Sequence, residues 1–235
     1  VLYASNNQTL RVGNLDNNGR IFAEKRLVMN ASALNNRGNI GATTDALQVT
    51  TTGNLTNSGT LVGDAAAVSL NVGGDVDNSG NIISNEKDVT LAASGKSIKN
   101  QGKIEGKNVT LTNMSTLTNT GDAVLLASGA MDLSGTTTLT NSASGIQATS
   151  ILLDHIGTLN NISDATLYSS GNLTLSNIGT LSNDASQVVA DGALAMLNIT
   201  NVSNTNSAAM VGSGSITISN VDTLNNSNSA VIQSE

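Results

Sequence analysis

The sequence predicts an all-β fold, a parallel β-helix (β-solenoid) of about eleven coils with about 21 residues and three strands per coil. Recurrence is the first observation behind this reading. An apolar-x-Asn element returns at Leu15/Asn17, Leu34/Asn36, Leu55/Asn57, Val76/Asn78, Ile98/Asn100, Leu117/Asn119, Leu139/Asn141, Leu159/Asn161, Leu181/Asn183, Val202/Asn204 and Leu224/Asn226. The separations are 19, 21, 21, 22, 19, 22, 20, 22, 21 and 22 residues, and a fixed period of this size marks stacked repeats. Alternation is the second observation: apolar residues come in pairs two apart, which is strand spacing. The third is the absence of proline, since a residue without an N–H interrupts a ladder whose strands have neighbours on both sides.

Each coil can be justified element by element. In the first block an Asn-x-Gly turn is followed, four residues after the Asn, by an apolar residue: Ile21, Ile40, Leu61, Ile82 and Ile104. A pair then follows, Leu27/Met29, Leu47/Val49, Val68/Leu70, Val89/Leu91 and Val109/Leu111, before the chain returns to the next anchor. Turns rich in Gly, Asn, Asp and Ser separate the three strands. With aromatics reduced to Tyr3, Phe22 and Tyr168, the interior must be narrow enough for aliphatic side chains to fill. A lone coil cannot persist. Its four inward aliphatic residues supply about 1.5–3 kcal/mol each, against about 1–2 kcal/mol of backbone entropy for every residue ordered.

The recurring Asn has its own reading. Asparagine tolerates left-handed backbone and bonds locally to the main chain, and at one place in every coil it can stack as an amide ladder. Asn36, Asn57, Asn78 and Asn100 are therefore expected to be buried ladder residues.

Residues 1–115 form the regular block and residues 116–235 a divergent block continuing the same rod. After Asn119 the Asn-x-Gly turn disappears, and the next apolar position falls one or two residues later, at Ile146, Leu167, Val188, Met210 and Val231. A second polar column stands six residues before the anchor, at Asn113, His155, Asn177, Asn198 and Asn220, and is expected to act as a further structural ladder. Charge also separates. Residues 1–107 carry ten cations and nine anions, whereas residues 108–235 carry eight anions and no Lys or Arg. Both ends of the chain fall inside a coil, as expected of a segment cut from a longer array.

The run from Asn14 to about Ser115, with Gly53-Asn54-Leu55-Thr56-Asn57-Ser58-Gly59-Thr60-Leu61 and Val76-Asp77-Asn78-Ser79-Gly80-Asn81-Ile82, resembles the haemagglutinin repeats of large two-partner secretion exoproteins. These include filamentous haemagglutinin and the stalks of contact-dependent growth inhibition toxins. The resemblance implies a right-handed parallel β-helix, secreted to the bacterial cell surface through an outer-membrane partner transporter. It also implies adhesion to, or toxin delivery toward, a target cell bearing a protein or glycan receptor. A monomeric rod without cofactor is the expected form.

Other chemistry has a structural alternative at each place. Asp75-x-Asp77-x-Ser79-Gly80 with Glu86 matches EF-hand spacing, but the same turn recurs at Asn57–Leu61 without Asp, and no helices flank it. His155, the single histidine, falls in the second polar column rather than in a ligand set. Lys96, Lys99, Lys103 and Lys107 make a basic patch that, without stacking aromatics and at a net charge of −7, reads as a solvated edge and not a nucleic-acid site. Two alternative functions make specific demands. A carbohydrate-active β-helix enzyme needs converging carboxylates, whereas Asp132, Asp154, Asp164, Asp184 and Asp191 lie in different coil phases. An ice-binding solenoid needs a regular threonine array, whereas the outward site of one strand reads Gln48, Ser69, Thr90, Thr110, Asp132, Leu152, Thr174. Asn-x-Ser/Thr sequences such as Asn7, Asn30, Asn54, Asn108 and Asn172 arise by chance in so polar a chain, and no modification is expected there. No catalytic, metal-binding or cofactor-binding residue is predicted.

Overall fold

The computed structural model describes residues 1–234. Among them every regular element is a strand, and the strands stack in parallel as a β-solenoid of about eleven turns. One coil shows the plan. Arg20–Ala23 lies on the first face (sheet A), Leu27–Ala31 on the second (face B) and Ala33–Asn36 on the third (face C). Sheet A contains twelve strands, from Leu2–Ala4 to Val231–Ser234, and each of those between the two ends is paired with the coils before and after it. Faces B and C belong to one eighteen-stranded sheet.

Three faces persist along the rod, but the strand count per coil does not. From Ser150 onward faces B and C fuse into single bent strands, Ser150–Ile162, Leu173–Asp184, Ala193–Thr205 and Ser215–Asn226. The bend is made at one residue with left-handed backbone, His155, Asn177, Asn198 or Asn220, each with φ between 53° and 55°. A single left-handed residue turns the chain without breaking the ladder on either side.

The core is a continuous apolar column, because identical phases of successive coils pair in register. Leu34 pairs with Leu55, Leu55 with Val76 and Val76 with Ile98 on face C. On sheet A, Ile40, Leu61, Ile82, Ile104 and Leu125 follow one another, each fully buried.

The turn from face C to sheet A explains why the two blocks differ in spacing. In the first block the glycines stack so closely that a Cβ on Gly59 would lie 2.1 Å from the Gly38 carbonyl oxygen, and one on Gly80 2.1 Å from that of Gly59. Four residues then suffice from anchor to inward residue. In the second block the turn uses left-handed residues. Ala143 alone serves the five-residue step from Asn141 to Ile146, and Ala185 alone the step from Asn183 to Val188. Consecutive pairs, Ser163/Asp164 and Asn206/Ser207, serve the six-residue steps to Leu167 and Met210. The same rule corrects the last coil. Asn228 and Ser229 are both left-handed, so the step is six residues, and Met210 pairs with Ile232. Val231, expected to point inward, is instead 41% exposed.

Candidate functional site

The anchor asparagines form one hydrogen-bonded file inside the rod. Asn36 Nδ2 donates to Asn57 Oδ1 at 2.7 Å, Asn57 to Asn78 at 2.7 Å, Asn78 to Asn100 at 2.7 Å and Asn100 to Asn119 at 2.7 Å. Asn36, Asn57, Asn78 and Asn100 have no exposed surface. The file extends further than the four residues named from sequence. It begins at Asn17 and continues through Asn119, Asn141, Asn161, Asn183 and Asn204 to Asn226. The signal for the remainder was the same period, since the anchor recurs whether or not a glycine follows.

Each amide in this file is satisfied beyond its neighbour. Asn57 Nδ2 also reaches the Gly59 and Asn81 carbonyl oxygens, at 3.3 and 3.1 Å. A buried amide without partners is strongly unfavourable, so the file is held only while coils are stacked. Left-handed tolerance plays no part here, because Asn57 closes strand Leu55–Asn57.

That tolerance is used at the outer column. Asn113, His155, Asn177, Asn198 and Asn220 all have positive φ and are exposed at the corner between faces B and C. Gly95 and Gly135, also left-handed, occupy the same corner in coils where the sequence reading found no polar residue. Backbone handedness, which Asn and Gly accept most readily, unites the column. Side chains link only part of it: Asn220 donates to Asn198 at 3.0 Å, Asn198 to Asn177 at 3.2 Å, and Asn177 to Asp154 at 2.7 Å. A ladder running through Asn113 and His155 is not formed, since His155 Nδ1 instead meets Asp154 Oδ2 of its own coil at 2.6 Å.

Asp154 is thus the most heavily bonded surface carboxylate of this corner. Its Oδ1 accepts from Ser176 Oγ at 2.6 Å as well as from Asn177. Partial burial pushes its pKa up, but the bonds from Ser176, Asn177 and His155 outweigh this and hold it below the ordinary carboxylate value. The serine proton points at the carboxylate and not at the imidazole. A nucleophile relay requires the reverse order, so this cluster braces the corner.

The remaining sequence candidates are dispersed. Asp75 Oδ1 accepts the Ser97 backbone N–H at 2.9 Å, and Asp77 stands outward in strand Val76–Asn78. No group of three or more His, Cys, Asp and Glu converges among the described residues. Lys103 is paired with Glu105 at 2.6 Å. A shallow recess of about 450 Å³ runs along the bare glycine turns, lined by Ser58, Gly59, Ser79, Gly80, Gly102 and Lys103.

The profile of the Haemagglutinin repeat family matches residues 3–59, 64–145 and 135–195. The match passes well beyond residue 115, so the altered turns as far as residue 195 fall within the family's repeats. No curated protein and no solved structure matches the chain. A stacked rod whose repeats fall under this profile along most of its length belongs to the haemagglutinin repeat family.

Proposed function

We propose that this chain is part of the shaft of a secreted, surface-attached bacterial fibre. Such a fibre crosses the outer membrane through a partner transporter and carries out adhesion or contact-dependent toxin delivery. The observation that supports this reading most is the family match along a rod of coils stacked without interruption, whose strength lies in that stacking. Contact with a receptor, protein or glycan, falls to the outward residues of the second block, where the turns depart from the plain shaft pattern and no cation is present.

Binding of the labelled full chain to candidate target cells tests this. Substituting outward residues of the second block, for example Thr140, Asn160 and Ser182 together, should abolish binding, while equal changes at Asn35 and Thr56 should not. Unchanged binding in the first variant would sink the receptor-contact reading and leave the shaft reading standing.

A further inference from the structure

We propose that the outer face of sheet A is a self-association surface on which two copies of this chain lie side by side in antiparallel sense. The register of sheet A brings one outward position of every coil into a single file. Phe22, Val62, Ile83, Leu126, Tyr168 and Val189 stand in it, all partly exposed. The three aromatic residues of the whole chain, Tyr3 included, fall in this one file. The corresponding file on face C, from Asp16 through Thr56, Lys99 and Ser182 to Asn225, is polar in every coil. Apolar side chains are thus far denser on the exterior of sheet A than on face C, and face B, alanine apart, carries only Val28, Leu152 and Leu197 scattered among polar residues.

The polar Gln147 interrupts the stripe between Leu126 and Tyr168, whereas the lapse at Gly41 is closed over. A Cβ on Gly41 would lie 2.4 Å from Phe22 Cε2 and 2.8 Å from Val62 Cγ1, so those side chains close over the glycine. Glu105, the one charge in the stripe, is engaged by Lys103.

Size and charge select the occupant. Twelve strands at the ordinary inter-strand spacing span about 50 Å, and four residues of strand about 13 Å. That footprint, about 700 Å² on each copy, approaches what one partner contributes to a stable complex. All ten cations lie at or before Lys107, and the eight anions beyond it have none among them. Parallel pairing would set acidic half against acidic half, whereas antiparallel pairing sets it against the half that carries Arg20, Lys25 and Lys103. A two-fold axis across the rod produces that arrangement, with the same patch used by both copies. Antiparallel contact is also the sense in which shafts from two facing surfaces meet, a consequence that rests on the shaft reading and that a solution experiment does not need.

Sedimentation of the full chain over a wide concentration range should show a dimer. Val62→Asp and Val189→Asp should each weaken it by about tenfold or more, with circular dichroism and melting unchanged because both positions face outward. Thr56→Asp on face C should leave it intact. The chain has no cysteine, so single introduced thiols report geometry. Leu126→Cys, near the middle of the stripe, should form a self-linked dimer on oxidation, and Val211→Cys, near one end, should not. A chain that stays monomeric throughout overturns the proposal, as does loss of the dimer in Thr56→Asp alone. Equal self-linking at both cysteine positions overturns the antiparallel sense. Oligosaccharide binding that is lost in Val62→Asp, by a chain that remains monomeric, would assign the stripe to glycan and also overturn it.

Discussion

Asn57 donates an amide hydrogen to Asn78 Oδ1 at 2.7 Å, across 21 residues of chain, and Asn78 passes the same bond on to Asn100. Because every bond in the file points the same way, each amide between its two ends is both donor and acceptor in a buried interior, where aligned bonds polarise one another.

Replacing Asn78 by Ala leaves a donor below and an acceptor above unpaired. The expected loss is about 1–3 kcal/mol for a buried group left unsatisfied, read as a lower denaturant midpoint with unchanged slope. Asn78→Asp should lose more at neutral pH and recover part of the loss on acidification, because only the protonated carboxyl can donate. Wild-type stability in Asn78→Ala would remove the ladder from the account of what holds the rod.

Glycine is required at some turns for space rather than for φ. Gly80→Ala should cost about 1–3 kcal/mol or more, the range for forced overpacking, since its Cβ would meet the Gly59 carbonyl oxygen at 2.1 Å. Gly19→Ala, with nothing within 4 Å of the added carbon, should change the melting point little. Equal effects would show that turn stacking is looser than described.

Ala185 holds φ at 46° on the surface of the second block. Left-handed backbone costs a non-glycine residue about 1–2 kcal/mol, part of which glycine's greater unfolded-state freedom cancels. Ala185→Gly should therefore raise stability by about 0.5–1 kcal/mol. Asn198→Ala should lower it, losing both a tolerant residue and its two amide bonds. A destabilised Ala185→Gly protein would contradict the left-handed turn assigned between Asn183 and Val188.

The Asp154 carboxyl is held below its ordinary pKa by donors that outweigh its burial. A depressed folded-state pKa gives stability that is present above the unfolded value and is lost as pH falls through the folded one. The gap between wild type and Ser176→Ala should accordingly be open at neutral pH and close in acid. In a carbon-detected NMR titration the Asp154 midpoint should rise in Ser176→Ala. An unmoved midpoint would show that the Ser176 bond does not act on the carboxylate.

A rod of paired coils tolerates loss of a whole coil. Deleting residues 58–78 joins Asn57 to Ser79 in the phase that Ser58 held, so the shortened chain should still unfold cooperatively. Deleting half that length should destroy the fold, because one face would then lose its register. Comparable melting of the two deletions would argue against registered stacking.

The rod, its period and its inward residues were legible from the chain alone, and for one reason. Stacking repeats the same local demand every coil, so Leu55, Asn57 and Leu61 announce their roles by returning at Val76, Asn78 and Ile82. Residue spacing also signalled that the turns change after Asn119. It did not say how. Whether Asn198 or Asn204 points inward depends on backbone handedness at the corner, and both are polar residues of the same type recurring at the same period. His155 entered its column by phase, but its partner, Asp154, and the bracing Ser176 meet only when two coils lie one above the other. The register of sheet A likewise collects Phe22, Val62 and Tyr168 into one exterior file from residues 40 and 106 apart in the chain. Periodicity is a property of one coil repeated, and it is written in the order of the residues. Which side chains share a surface is a property of coils in contact, and it comes into being when the coils close and stack.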